Sequence, residues 1–183
     1  IDNFIRKKSA WIIKKLEEIK RRKWTILKKV YDHGHEFLFL GNKFKLEVED
    51  NLLFKQGVVI DFDGKKWKIR IPAFEAQEDR QNFIKRHLKD WYRLQAKEFI
   101  SSRIFHYARE LEVDPQKIVV KTQKHLWGSC HPRNKTININ WQIVLSPPCV
   151  IDYVLVHELC HLLVSNHSQK FWRLVEKIMP DYL

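Results

Sequence analysis

The chain has 183 residues, of which 44% are hydrophobic, and a formal net charge of +12. This length favours one domain with a decorated end, and the apolar content is sufficient for a buried core. Because there is no run of 18 apolar residues, no secretory signal peptide and no CxxC pair among three cysteines, the sequence predicts a cytoplasmic protein without a membrane span or a disulfide framework.

Residues 1–30 are predicted to form a basic helix. They contain eleven Lys or Arg and three acidic residues, a net charge of +8, and apolar residues recur between the charges at helical spacing. The chain begins at Ile1 rather than Met, which indicates that this helix is truncated. Two interpretations stay open: a surface that contacts DNA or a membrane, and a solvated helix face.

Residues 31–74 change to short β-rich runs that are separated by turn signals such as Gly41-Asn42 and Asp63-Gly64. This alternation predicts an antiparallel β-meander. The predicted strands are Phe37–Leu40, Phe44–Val48, Leu52–Phe54, Val58–Phe62 and Trp67–Ile71.

Residues 75–183 are predicted to form the catalytic core, and the chain as a whole belongs to the α+β class. Helical periodicity runs over 75–111 and stops at Asp114-Pro115. Two predicted strands, Ile118–Lys121 and Thr136–Trp141, are followed by a helix that carries the motif described next. Ser168 is predicted to cap a last helix that extends to Ile178.

The sequence His157-Glu158-Leu159-Cys160-His161 is followed six residues later by His167. Side chains at i and i+4 lie on one face of a helix, so two imidazoles of this HExxH motif can reach one ion. Ser146-Pro147-Pro148 is a helix start signal, and apolar residues cluster on the opposite face. The motif therefore lies on a predicted amphipathic helix.

Three protein ligands with one open position are typical of a catalytic zinc site. We expect one Zn²⁺ per chain on His157, His161 and His167, with Glu158 as the base that takes a proton from the zinc-activated water. Glu176 is the alternative third ligand. The metzincin pattern does not fit, because Val164 stands where that pattern has Gly. Oxyanion stabilisation needs a further group, for which the candidates are Tyr153, His131, Arg133 and Tyr182.

Several motifs together resemble the YgjP-like metallopeptidase family, which is related to the SprT-type and WLM-type zincins. They are Trp127-Gly128-Ser129-Cys130, Ile137-Asn138-Ile139-Asn140-Trp141, the HExxH motif, and Asn166-His167-Ser168 with Phe171-Trp172. The resemblance covers residues from about Tyr31 to Leu183. It implies a zincin-like core, the same three histidine ligands, Glu158 as catalytic base, and a Trp-Gly-Ser segment that borders the cleft.

The leading hypothesis is therefore a zinc metallopeptidase that acts on protein or peptide. An alternative keeps the zinc chemistry but hydrolyses a nucleotide phosphoanhydride, for which the excess of Lys and Arg would suit an anionic substrate. A third hypothesis is a nucleic-acid-associated protease module that contacts DNA through the basic helix, with binding that weakens steeply in salt.

Overall fold

The computed structural model describes residues 30–51 and 57–180, and Glu17 alone in the N-terminal segment. The predicted basic helix of residues 1–30, the predicted strand Leu52–Phe54 and Tyr182 lie outside these ranges, apart from Glu17 and Val30. Within the described ranges the α+β prediction is confirmed: three α-helices accompany two separate sheets. None of these described helices is both long and apolar enough to cross a membrane.

The first sheet contains β1 (Glu36–Phe39), β2 (Asn42–Asp50), β3 (Val59–Phe62) and β4 (Lys66–Ile71), in the order β1-β2-β4-β3. Two of its three pairings are the antiparallel hairpins that the turn signals predicted. The tight β1–β2 turn has positive φ at both Leu40 and Gly41, as the twist of a two-residue hairpin requires.

The prediction of a fully antiparallel meander is wrong, because β2 and β4 pair in parallel. The side chains that β4 turns inward, Trp67, Ile69 and Ile71, are all fully buried, whereas β3 is at most half-buried. The strand that buries more of its apolar side chains therefore takes the central position, and the more exposed strand takes the edge. This register puts Leu46 and Val48 opposite Trp67 and Ile69, so the apolar residues share one face.

Helix α1 (Gln77–Glu110) packs on the apolar face of this sheet through Trp91 and Tyr92, whose ring centroids lie 5.1 and 6.2 Å from that of Phe39. Its buried residues recur every fourth position, which makes one continuous stripe: Ile84, Leu88, Tyr92, Ala96, Ile100, Ile104 and Ala108. The hydroxyl of Tyr92 donates a hydrogen bond to the Leu38 carbonyl at 2.6 Å. The sheet and the helices that follow it contribute to one hydrophobic cluster.

The second sheet contains β5 (Lys117–Lys121), β6 (Gly128–His131) and β7 (Thr136–Asn140), in the order β5-β7-β6. The central strand β7 is parallel to β5 and antiparallel to β6. Short 3-10 helices, Pro132–Asn134 and Trp141–Leu145, follow β6 and β7. In the order β5-β7-β6, β6 is an edge strand, whereas the sequence predicted only a connecting segment between two strands.

Helices α2 (Pro148–Cys160) and α3 (Gln169–Ile178) complete the described chain. Helix α2 begins at the predicted Pro-Pro signal, and its predicted apolar face is fully buried at Ile151, Leu155 and Leu159. A guanidinium nitrogen of Arg103 on α1 lies 2.7 and 2.8 Å from the two carboxylate oxygens of Asp152 on α2. Apolar packing and this ion pair together orient α2 against the long helix.

Candidate metal centre

Three histidine side chains converge where α2 ends and α3 begins. His157 lies in the last turn of α2, His161 follows the final helical residue, and His167 returns after a short turn. The Nε2 atom of His157 is 3.2 Å from Nε2 of His161 and 2.9 Å from Nε2 of His167. The possible ligand atoms of the three residues all lie within 4.8 Å of one another.

The turn between the second and third histidines is closed by hydrogen bonds to the end of α2. The amide of Val164 donates to the Cys160 carbonyl at 2.9 Å. The ring Nδ1 of His161 lies 3.1 Å from the Val164 carbonyl oxygen. Since a carbonyl only accepts, Nδ1 carries the proton, and Nε2 of His161 presents its lone pair to the cluster.

Two aromatic residues of α3 frame the three imidazoles. Phe171 is fully buried, and its ring centroid is 4.6 to 4.9 Å from those of all three histidines. Trp172 stacks on His167 with a centroid distance of 5.8 Å and an interplanar angle of 27°. These rings restrict the orientation of the imidazoles from the side of α3.

The donor set fits a divalent cation. Burial, followed by the charges of His161 and His167, lowers the pKa of His157 to about 3, and burial also lowers the pKa of His167. Both rings are therefore neutral near pH 7, which is the state that ligates metal. Nitrogens that share a tetrahedral zinc ion lie about 3.3 Å apart, close to the two short separations between Nε2 atoms.

Glu158 lies beside this cluster and is only 7% exposed. Burial raises the pKa of its carboxyl to about 7. The main chain of Gly128, at the start of β6, closes on the same side chain: a Cβ atom there would lie 2.6 Å from both Cγ and Oε1 of Glu158. Only glycine allows so close an approach, so the Trp-Gly-Ser segment borders Glu158 through its backbone.

The family model of the YgjP-like metallopeptidase domain matches residues 1–183. The chain belongs to the YgjP-like metallopeptidase family. The resemblance drawn from the motifs is thereby confirmed, and so is the prediction of a peptidase-like hydrolase. Family membership implies a bound metal and a protein or peptide substrate, whereas it gives no support to nucleotide hydrolysis or DNA contact.

Two solved metallopeptidase zymogens are similar to this YgjP-like chain. Abylysin of Pyrococcus abyssi is 26% identical, with 44% of this chain and 80% of that chain covered and a TM-score of 0.41. Jannalysin of Methanocaldococcus jannaschii is 23% identical, with 42% and 78% covered and a TM-score of 0.39. No curated protein sequence matches the chain.

The remaining site residues that the sequence predicted lie at varied distances from the cluster. The ring centroid of Tyr153, one turn before His157, is 5.7 Å from that of His157. His131 is the exposed last residue of β6, at the opposite end from Gly128, and Arg133 is exposed in the 3-10 helix that follows. Glu176 is exposed on α3 and is not part of the histidine group. Tyr182 lies outside the described residues.

The sequence predicted no role for Phe171 or Trp172, and for Gly128 the family resemblance implied only a place in a segment that borders the cleft. The signal for the two aromatic residues was their position in the first turn of α3, a few residues after His167. The approach of Gly128 to Glu158 joins residues thirty positions apart across a strand and a helix, so no local pattern could have revealed it.

Proposed function

We propose that this protein is a zinc-dependent metallopeptidase in which His157, His161 and His167 hold the ion and Glu158 is the general base. The observation that carries the proposal is the convergence of three imidazole Nε2 atoms beside a buried carboxylate. A set of three histidines with an open fourth position is typical of catalytic zinc, and imidazole suits zinc better than it suits magnesium or calcium.

When bound, zinc supplies Lewis acidity that polarises the scissile carbonyl and makes a water molecule more acidic. Glu158 accepts the proton that the attacking water loses and passes it to the leaving amine nitrogen. The buried position of Glu158 against the Gly128 backbone holds its carboxylate in one place between these two transfers. The hydrogen bond from His161 Nδ1 to the Val164 carbonyl keeps that ring in the tautomer that ligation needs.

A peptide substrate is supported by the position of β6. This strand is the edge of its sheet and begins at Gly128, which is in contact range of Glu158. An edge strand offers unpaired backbone groups, with which an extended peptide can pair as an added strand. We infer that a substrate lies along β6, so that its scissile bond is carried past Glu158.

For the developing oxyanion we propose Tyr153 ahead of the other predicted candidates. It precedes His157 by four residues, so both side chains project from one face of α2, and the two rings are neighbours. His131 lies at the far end of β6, about 10 Å along the strand from Gly128, and Arg133 lies in the 3-10 helix beyond it. Tyr153→Phe removes only the hydroxyl and tests this role through a loss of kcat with unchanged zinc content.

The test of the proposed function is Glu158→Gln, which keeps the shape of the side chain but removes the base. We expect one zinc ion per chain and a loss of peptide hydrolysis of about 100- to 10,000-fold, the usual contribution of a general base. Casein and a nucleoside triphosphate should be assayed side by side with the zinc-loaded protein. Glu176→Gln, on the exposed side of α3, is the matched control and should retain wild-type hydrolysis.

Two results would overturn the proposal. Hydrolysis of casein by Glu158→Gln at the wild-type rate would exclude Glu158 as the base. Turnover of the nucleotide with no cleavage of protein would replace the peptidase by the phosphoanhydride hydrolase that the sequence left open.

A further inference from the structure

Asn140, the last residue of β7, donates hydrogen bonds to the loop that precedes β6. Its side chain is almost fully buried. The amide nitrogen donates hydrogen bonds to the carbonyls of Gln123 at 2.9 Å and Leu126 at 3.2 Å. The backbone N–H of the same residue donates to the Trp127 carbonyl at 2.8 Å. Three carbonyl oxygens of one loop therefore accept hydrogen bonds from a single asparagine.

This loop, residues 122–127, joins β5 to β6 across the end of β7 and contains no regular secondary structure. Four of its six residues are exposed, and Trp127 at its end is the hydrophobic residue of the loop that packs against the core. A further anchor is the Trp141 indole, whose Nε1 donates to the Thr122 hydroxyl at 3.0 Å. Polar contacts, of which Asn140 supplies three, thus fix the path of the loop.

The loop leads directly into the backbone that touches Glu158. The Trp127 carbonyl and the Gly128 nitrogen belong to the same planar peptide, so a fixed carbonyl oxygen fixes the direction in which the chain enters β6. Gly128 then lies so close to Glu158 that even a methyl group would collide with Cγ and Oε1. A shift of the loop would be transmitted to the wall that confines this carboxylate.

We propose that Asn140 is a positioning residue, whose side-chain amide holds the 122–127 loop so that the Gly128 backbone confines Glu158 in its working orientation. The inference rests on the proposed role of Glu158 as general base. It gives a function to the second asparagine of the segment Ile137–Trp141, which the zinc chemistry leaves without one.

A competing role for Asn140 is local. Its side-chain oxygen accepts a hydrogen bond from the Gln142 amide at 3.3 Å and caps the 3-10 helix that follows β7. Asn140→Asp separates the two roles, because aspartate caps a helix as well as asparagine does but has no N–H to donate to the loop. A capping role predicts wild-type behaviour for this variant, and a loop-holding role predicts a defect.

The matched control is Asn138→Asp, the same chemical change at a buried position on the same strand. The amide of Asn138 donates to the Ser129 hydroxyl at 3.2 Å, and a hydroxyl can reverse to donate to a carboxylate. This variant therefore keeps its contact with β6 while it matches the charge that the Asn140 variant introduces.

The first readout is steady-state hydrolysis of one peptide by zinc-loaded protein. For Asn140→Asp we expect kcat to fall by about 10- to 100-fold, the usual effect of an outer-shell partner, with one zinc per chain retained. We expect KM to change by less than about threefold, because a misplaced base acts on the transition state and not on substrate binding. Asn138→Asp should keep kcat close to the wild-type value, and an equal loss in both variants would overturn the proposal.

The second readout is amide hydrogen exchange, which does not depend on activity. In Asn140→Asp, segment 122–128 should exchange at least about tenfold faster than in the wild type, while the amides of α1 stay protected. If Asn140→Asp does not fold, Asn140→Ser, which is uncharged and has a single donor, should show the same pattern. An unchanged exchange rate would overturn the loop-holding role, and faster exchange with wild-type kcat would overturn the positioning role. A wild-type protein that cleaves no peptide would instead contradict the proposed function, and the exchange rates would then decide the role of Asn140 alone.

Discussion

The molecule contains two clusters of aromatic rings that are built alike and serve different ends. The sheet cluster consists of Phe39, Phe62, Trp67, Trp91 and Tyr92, with neighbouring ring centroids 5.0 to 6.4 Å apart. The site cluster consists of His157, His161, His167, Phe171 and Trp172, with neighbouring centroids 4.6 to 6.3 Å apart.

The difference lies in what the rings present to one another. In the sheet cluster, the rings pack edge against face, and the packing stabilises the fold by burying apolar area. In the site cluster, Nε2 of His157 lies 3.2 Å from Nε2 of His161 and 2.9 Å from Nε2 of His167, an arrangement that suits a shared cation. The same packing of rings therefore stabilises the fold in one region and prepares a ligand set in the other.

Among the substitutions that distinguish the two clusters, His161→Ala should have the largest effect. This variant removes one of the three proposed ligands, so zinc affinity should fall by more than the roughly 10- to 100-fold that an outer-shell partner contributes, and peptide hydrolysis should be lost. Titration of zinc with a competing chelator measures the affinity. Unchanged affinity would show that the site cluster is an ordinary packed cluster.

The next effect belongs to the sheet cluster. Trp67 is fully buried, so Trp67→Ala should lower the free energy of unfolding by about 3 to 5 kcal/mol through lost burial and a residual cavity. Zinc affinity of the protein that remains folded should stay unchanged. Denaturant titration of the zinc-free protein gives the stability, and Phe105→Ala, at an exposed position of α1, is a control expected within about 0.5 kcal/mol of wild type. A small loss in Trp67→Ala would contradict the purely structural role of this cluster.

The smallest effect comes from a matched pair of substitutions at half-buried tryptophans, one in each cluster. Trp172→Leu removes the ring that stacks on His167 and should weaken zinc binding by about tenfold, with little change in melting temperature. Trp91→Leu should do the opposite, lowering the melting temperature without affecting zinc. If both variants lost stability alone, the stacking on His167 would have no part in metal binding.

Much of this contrast was predictable from local sequence. The spacing of His157 and His161 requires only the geometry of one helix, and the period-four stripe of α1 follows from residues within one element. The hairpins of the first sheet were marked by their turn residues. Each of these features is determined by residues that are close together in the sequence.

The features that the sequence did not reveal all join distant segments. The parallel pairing of β2 with β4 depends on which of two strands buries more apolar area in the finished sheet. The contact of Gly128 with Glu158 depends on how β6 packs on α2. Phe171 and Trp172 acquire their role only when α3 folds back on the histidines. Hydrophobic periodicity cannot predict such contacts, because it describes the residues of one helix or strand at a time.

The most direct test of the account is the coordination of zinc in the loaded wild-type protein, measured by X-ray absorption at the zinc edge. A catalytic site on three histidines predicts three imidazole nitrogens at about 2.0 to 2.1 Å and one oxygen from water, with no sulfur. A sulfur ligand at about 2.3 Å would show that a cysteine such as Cys130 closes the site. That result would make the zinc structural and would contradict the proposed catalytic centre.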